Sequence, residues 1–414
     1  MIELASRNEC TGCGACLNVC NHNAIDLKHD NEGFSIPFID FSKCKECGLC
    51  IKCCPQLNKS RKSICNQHSY AVFSYHDRKR SSSGGAFSLF SRYVLARNGI
   101  VFGASFYKRD ENDCYLNQFP KLQHIFVDKI KDLEYLRGSK YVQSDIGYSY
   151  REVKEFIKNE RMVLFTGTPC QIAGLYKFLG KRYENLLITL DLVCHGVPSQ
   201  GCFDSYINKL ENSSRLKGEH IKAMRFRKLD SWDYRPSINL TESEWQTLNQ
   251  EDNVFMNSFF KLMTFRECCY NCMYSNMNRI GTFTIADYLG IGKNGLRFSK
   301  NVSAGVSLVI DNEDKMPSMI EELRKLAYIE ERPLEEGRKY NHNLNLPSLR
   351  PKERDTAVSD MLDENISLLD YSKKYQLLDG SIKFFFKSII KNIVYIMGLY
   401  NVYKTISYRL GRPS

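Results

Sequence analysis

A chain of 414 residues, 43% hydrophobic and 12% aromatic, has the apolar material for one large or two medium cores and is no low-complexity polymer. Its formal charge of +11 is moderate, with no clustered basic reading element of the kind nucleic-acid binding needs and no run of about 18 apolar residues to suggest a spanning helix. Seventeen cysteines, with no apolar leader core in Met1 to Asn8, point to a reducing cytoplasmic compartment and to metal or redox use of thiols rather than disulfides.

The first strong signal is Cys10-x2-Cys13-x2-Cys16-x3-Cys20, which returns as Cys44-x2-Cys47-x2-Cys50-x3-Cys54-Pro55 after a shift of 34 positions. Thiolates are soft ligands, and in this spacing three wrap one face of a cubane while the fourth reaches the neighbouring cluster. Two 4Fe-4S clusters are expected, one on Cys10, Cys13, Cys16 and Cys54, the other on Cys44, Cys47, Cys50 and Cys20. A zinc ribbon would leave half of these cysteines unused. The C-x3-C-x2-C spacing of a radical-initiating cluster fails because position 23 is Asn23. The segment between the blocks, from Ala24 to Ile36, has the pattern of a small hairpin around Gly33. Asn21 stands where proline commonly follows the fourth cysteine, and Cys53 is an extra thiol beside Cys54. Residues 1–58 therefore form a dicluster ferredoxin domain, and a polar, basic linker follows over 56–68.

A strand is expected from Tyr70, then Ser81-Ser82-Ser83-Gly84-Gly85 opens a helix over Phe87 to Ala96. Free backbone N–H groups at such a turn suit a phosphate, whereas a plain serine cap needs no ligand. Strands follow at Gly99 to Phe106 and His124 to Val127, and a helix at Leu133 to Tyr141 that ends near Gly138. From Tyr148 the pattern is helix, strand (Met162 to Thr166), turn (Gly167 to Cys170), helix (Gln171 to Leu179) and strand (Leu186 to Val193), ending at Cys194-His195-Gly196. Such alternation implies parallel strands joined by a crossover, so both turns share one carboxyl-end crevice, the usual ligand position in open α/β sheets.

Strands are also expected at Ala223 to Leu229, Pro236 to Thr241, Thr282 to Asp287 and Gly305 to Ile310, with helices at Phe255 to Met263 and Asp314 to Ala327. Polar residues 337–351 suggest a surface connection. The fold class is mixed α/β, with the cluster domain followed by an α/β domain over 69–335, divided into 69–147 and 148–335, a connection at 336–380 and a tail at 381–414.

Cys269-x2-Cys272 brings only two ligands, and Cys170 with Cys194 on the shared edge are the natural donors of two more. A third 4Fe-4S cluster on Cys170, Cys194, Cys269 and Cys272 is the resulting expectation, with Cys268 able to stand in for Cys269. Cys65, Cys114 and Cys202 are expected as buried apolar packing.

The stretches Ser82-Ser83-Gly84-Gly85, Leu136 to Ser144, Phe165-Thr166-Gly167-Thr168-Pro169-Cys170, Asp191 to Ser199 and Phe265-Arg266-x-x-Cys269-Tyr270-x-Cys272 run in a recognisable order. Together with the cysteine block, over roughly positions 1 to 335, the chain resembles the family of coenzyme F420 hydrogenase and formate dehydrogenase beta subunits, in its bacterial form with a fused ferredoxin. The resemblance implies an FAD in the crevice, because a flavin exchanges single electrons with clusters and pairs with an organic substrate. It implies backbone donors at Ser83, Gly84 and Gly85, cations at Arg137 and Lys140, and Thr168 and Gln171 as pocket lining. Ile285-Ala286-Asp287-Tyr288-Leu289-Gly290 departs from the Gly-Asp-Phe-Trp stretch frequent in that family.

In the tail, Lys383, Lys387 and Lys391 form a stripe opposite Phe385, Phe386, Ile389, Ile390, Ile393 and Val394, so 381–412 has the form of a basic amphipathic helix. Such a helix lies on the inner face of an anionic membrane, or docks on protein. The functional expectation is an iron-sulfur flavoprotein oxidoreductase that relays electrons between 4Fe-4S clusters and a two-electron organic substrate, a deazaflavin coenzyme or another conjugated acceptor. It would be served by a redox partner protein or a soluble donor. The alternative is a non-catalytic electron-transfer subunit docked on a catalytic partner. No catalytic acid or base stands out, since His195 suits a turn cap or a cluster neighbour equally well.

Overall fold

The computed structural model describes residues 2–59, 66–106, 119–180, 183, 185–229, 234–241, 244–293 and 296–377. Cys65, Cys114 and the amphipathic tail lie outside these described residues. In the cysteine block, helices α1 (Ala15–Val19) and α2 (Leu49–Lys52) flank an antiparallel hairpin of β1 (Ile25–His29) and β2 (Ser35–Ile39). Each helix starts from a left-handed glycine, Gly14 at φ 72° and Gly48 at φ 73°, at equivalent positions of the two repeats. An L-side chain resists that turn, which is why each motif carries Gly directly after its second cysteine. Leu17, Ile25 and Cys50 are the buried members of a small core for this block.

The body is an eight-stranded mixed sheet. Its strands are β3 (His68–Ser74), β4 (Ile100–Ser105), β5 (Gln123–Val127), β6 (Val163–Gly167) and β7 (Leu187–Leu192), with β11 (Phe283–Asp287), β12 (Ser307–Asp311) and β13 (Ala327–Arg332). A separate three-stranded sheet holds β8 (Ala223–Arg225), β9 (Ser237–Asn239) and β10 (Trp245–Thr247). The large sheet has the order β13-β3-β12-β11-β7-β6-β4-β5, and β4, β6, β7 and β11 are parallel neighbours. Val163 pairs with Leu187 and Gly167 with Asp191, so β6 and β7 finish on one edge as the alternation of elements implies. The near-continuous apolar runs of these strands are explained by cover on both faces. Helix α3 (Ala86–Leu95) belongs to the core on one face, and α4 (Ser149–Lys158) with α5 (Pro169–Leu179) to the core on the other.

Helices α6 (Gln200–Glu211) and α7 (Val254–Phe260) build a third core around Phe203, Tyr206 and Phe255. Helix α8 (Met316–Arg324) returns to the face of α3, and α9 (Leu334–Tyr340), α10 (Arg354–Leu362) and α11 (Leu368–Lys374) follow. The connection expected over 336–380 is thus largely helical. Ala357, Val358, Met361, Leu368 and Tyr371 are buried on the α6/α7 core, and a single apolar face in an otherwise polar sequence hides this. The helix expected over Leu133 to Tyr141 is instead a 3-10 turn at Ile130–Tyr135, and Gly138 at φ 81° carries the chain away. Strand β13 begins where the helix from Asp314 was expected to end, and pairs with β3 as an edge strand.

Three arginines and a tyrosine fasten the cysteine block to the body. Arg266, buried, donates from Nη1 to the Cys10 carbonyl at 2.9 Å and from Nη2 to the Ser35 carbonyl at 2.7 Å, while Nε meets Gln143 Oε1 at 3.0 Å. Gln143 in turn donates to the Thr11 carbonyl at 2.9 Å. Arg354 forks onto Glu32 at 2.6 and 2.7 Å, and Arg151 donates to the carbonyls of Leu17, Asn18 and Cys20. The Tyr150 hydroxyl stands 2.7 Å from both the Cys13 and Gln171 carbonyls. The contact is close enough that a Cβ on Gly33 would lie 2.5 Å from Gly201 Cα.

A second buried network fixes the loop after β3. Asp77 accepts from Arg92 and, at 2.6 Å, from Arg137 Nη2; Arg137 also donates to Glu134 at 2.7 Å and to Ser88 at 3.0 Å. Burial raises the Asp77 carboxyl, but Arg92 and Arg137 outweigh it and leave its pKa below the ordinary 3.8.

Replacing Arg266 by Ala removes donors from two carbonyls beside the inner cysteines. Stability is expected to fall by about 2–4 kcal/mol, with faster hydrogen exchange over residues 10–36 and unchanged protection in β6 and β7. Asp77→Asn leaves two arginines facing a neutral group and is expected to cost about 3–5 kcal/mol. Because the folded pKa of Asp77 is depressed, its contribution is present above the unfolded value and is lost as pH falls through the folded one. The penalty of the variant in thermal unfolding should therefore shrink below about pH 4.

Candidate functional site: a line of thiols ending at a sheet edge

Cys10, Cys13, Cys16 and Cys54 line one cavity that opens to solvent, together with Leu4, Leu27 and Pro37. This is the set of four that the interleaved spacing assigns to one cluster. Backbone N–H groups point at sulfur, Gly12 to Cys10 at 3.4 Å, Ala24 to Cys20 at 3.3 Å and Glu46 to Cys44 at 3.4 Å. Cys44, Cys47 and Cys50 lie within electrostatic reach of one another, Cys20 packs in the same small core as Cys50, and Cys47 is exposed. Burial pushes the Cys13 thiol up to about 12 and Cys16 well above its ordinary value. A thiolate in such a place needs a cation against it, which is what iron supplies, so the donor set fits the clusters.

Helix α5 carries the line inward. Thr168 and Gln171 form a capping box with Pro169 in the first turn, the Thr168 N–H donating to Gln171 Oε1 at 2.9 Å. This cap fixes Cys170, whose sulfur is 3.1 Å from Thr168 Oγ1. A Cβ on Gly174, one turn further along, would lie 3.1 Å from Cys13 Sγ, so the inner cysteines rest directly on this helix. Cys194 follows β7, and Cys269 and Cys272 lie on the 3-10 turn Glu267–Asn271 and just after it. All pairs among Cys170, Cys194, Cys269 and Cys272 interact electrostatically, and burial is the main cause of the raised thiols of Cys170, Cys194 and Cys272.

Cys268 and Cys269 form a hydrogen-bonded pair on this turn. The Cys268 sulfur lies 3.4 Å from the Cys10 carbonyl oxygen, and its pairing with Cys269 is the first cause that raises its pKa. That same bond lowers Cys269 toward the thiolate. Among the described residues no three His, Cys, Asp or Glu side chains converge tightly enough for a single metal ion. A cubane of four irons spreads its ligands more widely than one ion does. Arg279, 1% exposed, ties the cysteine segments together by donating to Asp191 at 2.8 Å, to the Leu192 carbonyl at 2.8 Å and to the Tyr274 carbonyl at 2.7 Å. Cys202 is fully buried in the α6/α7 core, as expected of a packing cysteine.

The residues expected to hold a flavin all border the carboxyl edge, yet their polar groups are engaged internally. Ser83 Oγ donates to the Val306 carbonyl at 3.1 Å, and a Cβ on Gly84 would sit 2.2 Å from the Val72 carbonyl oxygen. Gly84 is thus glycine because β3 and β12 approach it, while Gly85 supplies a left-handed start to α3 at φ 88°. Arg137 is spent on Asp77, Glu134 and Ser88. Lys140 Nζ donates to the carbonyls of Leu136 and Arg137, each at 2.8 Å, and burial pulls its ammonium down to about 7. Gln171 uses its oxygen in the capping box and its nitrogen on Ser144. His195 is buried, with its pKa brought down to about 4 mainly by desolvation, and it lies within electrostatic reach of His342 and Asp287. Its carbonyl accepts from Ser348, inside the stretch 337–351 whose composition suggests a surface connection.

Sequence reasoning did not single out Tyr150, Arg227, Arg279 or Arg354. None lies in a local motif, and their roles depend on partners distant in sequence.

The domain family for the C terminus of the coenzyme F420 hydrogenase/dehydrogenase beta subunit matches residues 160–337, and the 4Fe-4S dicluster domain matches 9–58. Among curated proteins, the F component of the F(420)H(2) dehydrogenase of Methanosarcina mazei is 24% identical over 204 residues, 46% of this chain and 55% of that one. The coenzyme F420-dependent sulfite reductase of Methanocaldococcus jannaschii is 25% identical over 177 residues, 42% of this chain and 26% of that one. The chain thus spans about half the length of the first relative and a quarter of the second. A chain of the F420-reducing [NiFe] hydrogenase complex from Methanosarcina barkeri aligns with 76% of this chain and 92% of its own length at 16% identity, with a TM-score of 0.42. By its matched domains and their order, this chain carries a C-terminal domain of the coenzyme F420 hydrogenase/dehydrogenase beta-subunit family over 160–337 behind an N-terminal 4Fe-4S dicluster domain over 9–58.

Proposed function

We propose that the chain is an iron-sulfur oxidoreductase that relays single electrons between the exposed Cys47 end of the dicluster block and a two-electron organic substrate at the carboxyl edge. On this reading Cys10, Cys13, Cys16 and Cys54 hold the inner cluster and Cys44, Cys47, Cys50 and Cys20 the outer one. Cys170, Cys194, Cys269 and Cys272 hold a third cluster. The observation that carries the reading is the contact of Cys13 with α5 at Gly174, one turn beyond Cys170, which makes the thiol groups a continuous line. A flavin at the end of that line supplies the exchange between one- and two-electron chemistry. The protein's own residues set the line: Thr168 and Gln171 cap the helix that presents Cys170, Cys268 holds Cys269 toward its ionised form, and Arg279 keeps the Cys194 and Cys272 segments together. F420-type coenzymes, named in both curated relatives, are the first substrates to assay.

The engagement of Arg137, Lys140, Thr168 and Gln171 with internal partners favours a second reading, a non-catalytic electron-transfer subunit that passes electrons to a partner protein. Anaerobic purification with quantitation of iron, sulfide and flavin separates the two. Flavin that bleaches with dithionite supports the oxidoreductase, and full clusters without flavin support the transfer subunit. The third cluster predicts about twelve irons per chain. Cys269→Ser is expected to lower this to about eight, and Cys268→Ser to leave it unchanged. A wild-type count of about eight sinks the third site.

A further inference from the structure

Beyond the thiols, the carboxyl edge holds a buried arginine whose donors are only partly used. Arg227 is 4% exposed, yet its Nε and Nη2 have no hydrogen-bond partner among the described residues. Nη1 donates to Asp287 Oδ2 at 2.8 Å, and the Tyr234 hydroxyl donates to the same oxygen at 2.9 Å. The guanidinium lies over the Tyr234 ring at 4.3 Å. The open nitrogens are therefore the Nε/Nη2 side of the guanidinium, the planar fork that binds two neighbouring acceptors at once. A buried charged group with unmet donors is costly, and such a group at the carboxyl edge calls for an acceptor that the described residues do not provide.

The surroundings restrict what that acceptor is. Asp287 ends β11, the parallel neighbour of β7, and His195, next to Cys194, lies within electrostatic reach of Asp287. Phe226 and Phe259 place their rings 5.7 and 4.8 Å from that of Tyr141, and Phe260 lies 5.5 Å from Tyr234. Burial pulls the Arg227 pKa down, but Asp287 more than offsets it, and the group stays charged. A permanent cation with an open fork, stacked on Tyr234 and close to a packed aromatic cluster, suits a flat conjugated ring carrying adjacent nitrogen and carbonyl acceptors that become anionic on two-electron reduction.

We infer that Arg227, fixed by Asp287 and Tyr234, binds the N1–C2=O edge of the isoalloxazine ring and stabilises its anionic reduced form. The assignment rests on the flavin reading above and moves the cofactor's cation from Arg137 and Lys140 to Arg227. A fork on N1 and O2 donates more strongly to the reduced anion than to the oxidised ring, so it favours reduction.

The test uses the full chain purified anaerobically, with iron content as the check on folding. The readout is the flavin two-electron midpoint potential, from reductive titration against indicator dyes. Arg227→Gln is expected to weaken binding of the reduced relative to the oxidised ring about tenfold, a shift of about 30 mV to more negative potential. Arg227→Lys keeps the charge but loses the fork, and should fall between Gln and wild type. Should Arg227→Gln lose iron, the Lys variant decides. Wild-type potential in a variant with full iron overturns the assignment while leaving the flavin reading intact. So does an unchanged potential with a raised KM for the organic acceptor, which would place a substrate oxyanion on the fork. Wild-type protein without flavin, even after incubation with FAD, sinks the flavin reading and this assignment together.

Discussion

The arrangement depends on one interaction, the capture of the cysteine block's backbone by arginines of the body. Arg266, Arg151 and Gln143 act chiefly on main-chain carbonyls. They bond the carbonyls of Cys10, Thr11, Leu17, Asn18, Cys20 and Ser35. With them, the inner cysteines have a fixed height above α5, and every later distance along the thiol line follows from that.

The carboxyl edge does two jobs. Parallel strands bring Cys170, Cys194, His195 and Asp287 to one rim, and the 3-10 turn carrying Cys269 completes the group. The loops there are held by buried ion pairs, Asp77 with Arg92 and Arg137, Asp191 with Arg279, and Asp287 with Arg227. In the first two pairs the carboxylate serves to hold the chain. In the third, two nitrogens of the arginine meet no acceptor among the described residues. The difference is chemical and is visible only in which nitrogens find acceptors.

The cysteine block was legible because ligand spacing is local, and the crossover from β6 to β7 because hydrophobic period and turn residues agree. The third group of thiols was legible once a shared strand edge was inferred. What sequence could not give was the use of each polar group. Arg137 and Lys140 look like cofactor cations in their loop, but the carboxylate that occupies Arg137 comes from Asp77, 60 positions earlier. Gly84 looks like part of a phosphate cradle until β12 is seen against it. Arg227 sits in no motif, and only Asp287, 60 positions later, gives it direction. The helices after 334 were missed because a single apolar face in a short polar helix barely departs from loop composition.

The Glu32–Arg354 pair joins positions 322 residues apart. During synthesis the cysteine block leaves the ribosome long before the arginine that holds Glu32 exists. In that interval the block has only its own small apolar core and whatever metal it has taken up, and metal binding supplies folding free energy to such minimal cores. Insertion of iron is thereby placed early and docking late, so a chain starved of iron would present an unfolded N-terminal segment to a body already being built.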